Sequence, residues 1–201
     1  MIINKLFKRK NVKEIKEVKC LNCSKGNIII KLGRYGLFAA CNNFPACKNT
    51  IKLNEFLYDV LKKDGINIYG WDHKCWKCNK TTKVYTYFIN KQLKPYMDEY
   101  VEFQSLGLNS IKPLDDYLIR NYKTINKNYS KTKGCYCTSN NCEHCNALIG
   151  NYFIVDDPHD IFDDWIIGNL DKYIVSNIDI ELLGIKKENF KDLEDYYMQI
   201  C

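Results

Sequence analysis

Residues 20–53 have the sequence C-L-N-C-S-K-G-N-I-I-I-K-L-G-R-Y-G-L-F-A-A-C-N-N-F-P-A-C-K-N-T-I-K-L. Cys20 and Cys23 form a C-x2-C pair, and Cys41 and Cys47 form a C-x5-C pair after 17 intervening residues. Two such pairs can place four thiolates around a tetrahedral metal ion, most often Zn²⁺ at about 2.3 Å from each sulfur. These four cysteines are therefore predicted to hold one zinc ion.

The segment between the two pairs has the pattern of a β-hairpin. Residues 27–32 and 37–40 are mostly apolar and are predicted to be strands. The glycines of the G-R-Y-G sequence at residues 33–36 predict a turn between them. A two-stranded hairpin is marginally stable in water, so metal at its open end is expected to stabilise it. The segment is thus predicted to form a zinc ribbon.

The same residues closely resemble the four-cysteine zinc finger repeated at the C-terminus of bacterial type IA DNA topoisomerases. The shared features are Gly26, the G-R-Y-G turn, Phe38 and the F-P-A-C-K sequence at residues 44–48. Leu21, Ser24 and Asn42 depart from the usual family residues, and none of the three is a ligand. The resemblance covers about 34 of the 201 residues. It implies a ribbon that engages single-stranded DNA.

A second cysteine system begins after residue 70. Cys75 and Cys78 form one C-x2-C pair, and Cys142 and Cys145 form another after 63 intervening residues. The long gap is tolerable because the entropic cost of loop closure rises only logarithmically with loop length. These four cysteines are predicted to hold a second zinc ion.

Other residues near the second system leave its ligand set open. Four residues separate Cys137 from Cys142, and His73 and His144 are close in sequence to the predicted ligands. Cys135 and Cys137 could supply ligands, hold a further metal, or be free thiols flanking Tyr136 on a strand. The sequence around both pairs is similar to small bacterial zinc-binding proteins of unassigned function, and this similarity implies no activity.

The composition favours a folded protein in a reducing compartment. Apolar residues make up 46% and aromatic residues 13% of the chain, which is unlike disordered sequences. Eleven cysteines in a secreted protein would indicate disulfides, but the N-terminal residues lack the apolar core of a signal segment. No apolar run is long enough to span a membrane. We therefore predict a cytoplasmic protein with metal-binding cysteines and no membrane contact.

Charge is distributed unevenly along the chain. Residues 1–54 contain 12 basic and 2 acidic side chains, a net charge of +10, whereas residues 150–201 contain 4 basic and 12 acidic ones, a net charge of −8. A basic N-terminal part indicates that any nucleic-acid affinity lies there. The basic tail at residues 1–19 is expected to be either a solvated segment or a phosphate-binding arm.

The expected fold is small α+β and zinc-stabilised, with an N-terminal zinc ribbon and a second α+β domain that contains another ribbon. We predict a helix at residues 54–65, capped by Asn54 and ended by Gly65, another at 114–122 and a last one at 187–200. Strands are predicted at 83–89 and 150–155, with a polar stretch at 123–133. The predicted units are a basic tail (1–19), the ribbon (20–53), a linker helix (54–70) and a second zinc-binding domain (71–201) with an insertion at 90–134 and an acidic C-terminal part.

Six residues of the ribbon are predicted to contact nucleic acid. Their cations can neutralise phosphates, and their aromatic rings can stack on bases of any sequence. Phe38 is an alternative stacking residue, although it is at least as well explained as part of the ribbon's own core. The six residues are Lys31, Arg34, Tyr35, Phe44, Lys48 and Lys52.

Three functions remain compatible with the sequence. The favoured one is a non-catalytic zinc protein that binds nucleic acid, single-stranded DNA in particular. The second is an adaptor that docks on RNA polymerase or another DNA-processing enzyme. The third and least favoured is a metal-dependent nuclease, which would use the acidic run at residues 156–164 with His159. No set of catalytic side chains stands out, so none is predicted.

Overall fold

The computed structural model describes residues 17–99, 101, 107–151, 153–154 and 161–190. In these ranges nine strands form three three-stranded sheets, and four short α-helices accompany them. This is the small α+β fold predicted from the sequence. The strands are β1 (Ile28–Gly33), β2 (Gly36–Cys41), β3 (Thr50–Ile51), β4 (Ile66–Lys74), β5 (Thr81–Tyr87), β6 (Ile125–Ser130), β7 (Cys135–Asn141), β8 (Leu148–Ile149) and β9 (Ile174–Ile178); the helices are α1 (Leu53–Asp64), α2 (Ile89–Leu93), α3 (Lys112–Asn121) and α4 (Phe162–Ile167).

The first sheet is the predicted ribbon hairpin with one added strand. β1 and β2 are antiparallel and meet at the turn between Gly33 and Gly36, and β3 pairs with the outer edge of β2. Alternate residues of β1 point to opposite faces, so Ile28 and Ile30 are buried on the inner face while Lys31 lies on the outer one. A short bridge to Met97 adjoins β1 at Ile30. The ribbon therefore has a covered face and an open face.

Helix α1 covers apolar residues of the ribbon. Leu53, Phe56 and Leu57 recur at helical spacing and are buried in the same cluster as Ile28 and Ile30. Gly65, with φ of 67°, ends the helix as predicted. The prediction that Asn54 caps it is wrong, because the cap position is Lys52, which makes no side-chain capping hydrogen bond. Burial of Leu53, and not cap chemistry, sets the start of this helix.

The other two sheets contain the second cysteine system. Their strand orders are β5-β4-β9 and β6-β7-β8. β5 ends at Tyr87, two residues before the predicted end, because Ile89 begins α2. Residues 123–133, for which the sequence predicted a polar stretch and no particular element, include β6. The predicted strand at 150–155 is replaced by β8 and a turn, with residues 152 and 155 outside the described ranges.

Two clusters of buried apolar side chains form the core. One joins the inner face of the ribbon to α1, α3 and Phe190, and the other surrounds the second group of cysteines. The division into domains at residues 53 and 70 stays a prediction. Residues 187–190, where the last helix was predicted to begin, form a short 3-10 helix. Residues 191–200 of that prediction, most of the basic tail, and Asp156, Asp157, His159 and Asp160 lie outside the described residues. None of the helices in the described ranges is long and apolar enough to cross a membrane.

Candidate metal centres and nucleic-acid interface

The first four-cysteine group lies at the open end of the ribbon. The Sγ atoms of Cys20 and Cys47 are 3.8 Å apart, and those of Cys23 and Cys41 are 3.7 Å apart. All four sulfurs lie within 4.8 Å of one another. A tetrahedron of sulfurs about 2.3 Å from a central zinc ion has edges of about 3.8 Å. The geometry fits the predicted zinc site.

The second group has the same geometry although its two pairs are far apart in sequence. The Sγ atoms of Cys75 and Cys145 are 3.7 Å apart, and those of Cys78 and Cys142 are 3.6 Å apart. These four sulfurs also lie within 4.8 Å of one another. The two four-cysteine groups confirm the prediction that the chain can hold two zinc ions.

The alternative ligands lie outside both sulfur tetrahedra. Cys135 and Cys137 are on β7, where they face Ser130 and Asn128 of β6, as expected for two thiols flanking Tyr136 on a strand. The His144 ring contacts the Thr81 carbonyl oxygen at 2.8 Å. Within the described part of the chain, the groups of three or more potential metal ligands are the two four-cysteine groups.

Each C-x2-C pair closes in the same backbone turn. The N–H of the residue after the second cysteine donates to the carbonyl of the first, at 2.8–2.9 Å. That residue has a left-handed backbone in all three turns, with φ of 53° at Ser24, 58° at Asn79 and 57° at Asn146. Asparagine tolerates this conformation better than serine does, because its amide side chain can form local hydrogen bonds. Ser24 is therefore the least suitable of the three residues.

Hydrogen bonds prepare the cysteine sulfurs for a metal. In the first site the side-chain amides of Asn22 and Asn49 donate to the sulfurs of Cys47 and Cys20, at 3.5 and 3.4 Å. The backbone N–H groups of residues 26 and 25 lower the pKa of Cys23 to about 6. Such donors favour the thiolate, which is the metal-binding form of cysteine. The sequence analysis did not predict these asparagine contacts.

The second site uses backbone donors in a similar way. The N–H of Lys77 donates to the Cys75 sulfur and the N–H of His144 donates to the Cys142 sulfur, each at 3.4 Å. Burial acts to raise the pKa of Cys142, but the N–H groups of His144 and Cys145 outweigh it and lower that pKa to about 6. These backbone donors thus favour the thiolate of Cys142. At Cys145 the N–H of Ala147 acts in the same direction, but burial and the other three cysteines outweigh it and raise the pKa to about 12.

Gly26 is a structural requirement of the first site. A Cβ atom at this position would lie 2.6 Å from the Cys41 sulfur and 2.8 Å from the Asn42 side-chain oxygen. Both distances are shorter than van der Waals contact allows. The sequence marked Gly26 only as a feature shared with the topoisomerase finger, and the structure supplies its physical reason.

Three of the residues predicted to contact nucleic acid lie at or near the hairpin tip. Tyr35 is 86% exposed, and the Arg34 guanidinium lies 5.5 Å from the centre of its ring. Lys31 pairs with Phe38 across the outer face. Phe38 is half-buried beside Gly33 and lies outside the inner core. Residues 33–38 line an open cleft of about 400 Å³.

Phe44 and Lys48 lie at the opposite end of the ribbon, whereas Lys52 directly follows Ile51, which pairs with Ala39 next to Phe38. Phe44 is 67% exposed between the two cysteines of the second pair, and Lys48 and Lys52 are exposed after it. Five strand residues separate this end from the turn, a distance of about 17 Å. Phe44 and Lys48 are therefore separated from Lys31, Arg34 and Tyr35, and Lys52 lies nearer to Lys31 than to the zinc end.

Of the acidic run at residues 156–164, Asp163 and Asp164 are among the described residues, and Asp164 is engaged with neighbouring side chains. Asp164 accepts a hydrogen bond from the Tyr173 hydroxyl at 2.7 Å and pairs with Lys172 at 2.8 Å. These hydrogen bonds, with Lys172 the largest cause, lower the pKa of Asp164. The Asp164 carboxylate is thus engaged in an ion pair with Lys172 and a hydrogen bond from Tyr173.

Comparison with known family models identifies the ribbon. No solved structure matches the chain. Residues 17–55, which contain the first four-cysteine group and the Tyr35 turn, match the family model described as the topoisomerase DNA binding C4 zinc finger, and this match confirms the resemblance found in the sequence.

Proposed function

We propose that this protein is a non-catalytic, zinc-stabilised protein that binds single-stranded nucleic acid, DNA in particular, through its first ribbon. The carrying observation is the exposed Tyr35 ring beside the Arg34 guanidinium at the tip of a ribbon of topoisomerase type. An exposed ring can stack on an unpaired base, and the adjacent cation can neutralise a phosphate. Lys31 and Phe38 extend the same outer face.

Zinc is assigned a structural role in this proposal. A site closed by four thiolates has no open position for water or substrate, which a catalytic zinc ion requires. Both four-cysteine groups would hold the backbone of their ribbons when loaded. Thiolate ligands persist in a reducing environment, so we place the protein in the cytoplasm.

The test is fluorescence anisotropy with the full, zinc-loaded chain and labelled single- and double-stranded oligonucleotides. Tyr35→Ala should weaken single-strand binding by about 1–3 kcal/mol, whereas Tyr35→Phe should retain it. Arg34→Ala should reduce the dependence of log K on log[salt] by about 0.7, the value for one phosphate contact on a single strand. Equal binding by Tyr35→Ala and the wild type would contradict the proposal.

An adaptor that docks on RNA polymerase or another DNA-processing enzyme is the second candidate. Ile166 and Ile167 of α4 are exposed, and Asp163 and Asp171 lie within five residues of them in the sequence. Exposed apolar side chains are thus present in an acidic segment. Exposed apolar patches with polar neighbours are typical of protein contacts. A chain that binds zinc but no oligonucleotide at low salt would favour this function.

A further inference from the structure

We infer that the outer end of the β6–β7 hairpin is a second binding surface for an unpaired nucleic-acid strand. The surface consists of Lys127, Tyr129, Lys131, Lys133 and Tyr136. It rests on the proposed nucleic-acid binding but is separate from the first ribbon. No part of it was predicted from the sequence.

The two tyrosines form an exposed aromatic pair. Tyr129 and Tyr136 lie directly opposite each other across the antiparallel strands, so their side chains share one face. Their ring centres are 5.4 Å apart, with an angle of 70° between the ring planes. Tyr129 is 53% and Tyr136 67% exposed. Two large rings are thus held together in solvent.

Positive charge surrounds this pair. Residues 117–142 contain Arg120 and four lysines, and no aspartate or glutamate. Lys127 lies on the same face of β6 as Tyr129, and Lys131 and Lys133 lie in the turn that joins the strands. All three lysines are exposed. A polyanion would therefore meet cations on two sides of the rings.

The opposite face of the hairpin is occupied by internal hydrogen bonds. The Asn128 side-chain amide donates to the Ser139 hydroxyl at 2.9 Å and to the Asn141 side-chain oxygen at 2.6 Å. These polar groups are satisfied within the protein and form the less exposed side. The aromatic side is thus the one that remains available for a ligand.

Two asparagine side chains fix the base of the hairpin through partly buried hydrogen bonds. The Asn140 side chain accepts from the Tyr85 N–H at 2.8 Å and donates to the Tyr85 carbonyl at 2.9 Å. The Asn109 side chain makes the same pair of bonds to the backbone of Thr138, at 2.6 and 2.9 Å. A base held in this way orients the aromatic surface before any ligand binds, which lowers the entropic cost of binding.

The chemistry of the surface selects an unpaired strand. Aromatic rings stack on base faces that are accessible only when the bases are not within a duplex, and lysines follow the backbone phosphates without regard to sequence. Tyrosine stacking on DNA and on RNA uses the same base faces. The predicted ligand is therefore single-stranded nucleic acid. Comparing the affinity for single-stranded DNA with that for single-stranded RNA decides whether the surface prefers deoxyribose or ribose.

The test uses the full zinc-loaded chain with labelled 20-nucleotide oligo(dT) and oligo(U), both designed to be unpaired, and with a duplex of equal length. The double variant Tyr129→Ala/Tyr136→Ala should weaken single-strand binding roughly 5- to 150-fold for each ring that stacks. Tyr129→Phe/Tyr136→Phe retains both rings and should bind like the wild type. Phe153→Ala, which removes an exposed ring elsewhere, should also bind like the wild type.

A second variant does not disturb the rings. Lys127→Gln/Lys131→Gln/Lys133→Gln should lower the slope of log K against log[salt] by up to about 2, at roughly 0.7 per phosphate contact. Retention of two zinc ions by every variant establishes that each is folded. Wild-type binding by both hairpin variants, together with a loss in Tyr35→Ala, would overturn this inference and leave the ribbon proposal intact. If the wild-type chain binds no oligonucleotide, both this inference and the ribbon proposal are overturned.

Discussion

The backbone conformation of single residues limits how well the first zinc site can form. Ser24 has φ of 53°, which costs an ordinary L-residue about 1–2 kcal/mol relative to a right-handed conformation. Ser24→Gly should therefore increase the free energy of unfolding, by up to about 1 kcal/mol after the greater entropy of unfolded glycine is subtracted. Thermal unfolding of the zinc-loaded chain measures this change. Ser24→Ala should not stabilise, and Asn79→Gly should be nearly neutral.

Gly26 illustrates a steric limit at the same site. Gly26→Ala places a methyl group 2.6 Å from the Cys41 sulfur, so either the sulfur or the strand must move. We expect zinc at the first site to bind at least about tenfold more weakly, equivalent to about 1.4 kcal/mol. Competition with a chromogenic chelator measures the affinity. Gly150→Ala meets only the Phe153 ring, at 3.3 Å, and is the matched control; equal zinc affinity in both variants would contradict the steric explanation.

Among the strands, polar side chains hold neighbouring elements together where other proteins use apolar packing. Asn140 is fully buried and joins β7 to β5 through both backbone groups of Tyr85. Asn140→Ala leaves those groups without their partner and should lower the free energy of unfolding by about 1–3 kcal/mol. Urea unfolding measures the loss. Asn126→Ala, with one long contact of 3.5 Å, should cost less, and an equal cost would contradict the assigned role of Asn140.

Because amide hydrogen bonds and not apolar contacts hold some of the strands, only part of the secondary structure could be predicted from the sequence. The β1–β2 hairpin and α1 have apolar residues at strand or helix spacing, and both were predicted to within one or two residues. β6 was missed because its I-N-K-N-Y-S sequence lacks an apolar face and its inner side chains satisfy one another by hydrogen bonds. These asparagine hydrogen bonds join β6 to residues of β7 that are more than ten positions away, so no local sequence pattern could reveal them.

For the whole molecule, cysteine spacing was a stronger signal than any pattern of strands. The C-x2-C and C-x5-C pairs predicted both sulfur tetrahedra, including the one whose two pairs are separated by 63 residues. The sequence could not predict how the ribbon packs, because its inner face belongs to a buried cluster that extends to residues as distant as Phe190. The asparagine donors around the first site were also not predictable, since only the folded turns bring them to the sulfurs.

The shared core makes the first zinc ion a determinant of stability beyond its own ribbon. Ile28, Ile30 and Leu57 are fully or almost fully buried in one cluster, so loss of the metal should loosen α1 as well as the hairpin. Cys41→Ser/Cys47→Ser should retain one zinc ion instead of two by elemental analysis. Amide hydrogen exchange in α1 should then accelerate at least about tenfold, which corresponds to about 1.4 kcal/mol of lost local stability.

The matched control for that experiment is Cys135→Ser, which removes an exposed thiol outside both tetrahedra and should retain two zinc ions and wild-type exchange. Strand β7 should remain protected in the ribbon variant, because its base is fixed by Asn140 and Asn109 and not by the first metal. Unchanged exchange in α1 would show instead that the ribbon at residues 20–53 is an energetically independent unit. Faster exchange confined to the ribbon and α1 would locate the energetic boundary after Gly65, where the helix ends and β4 begins.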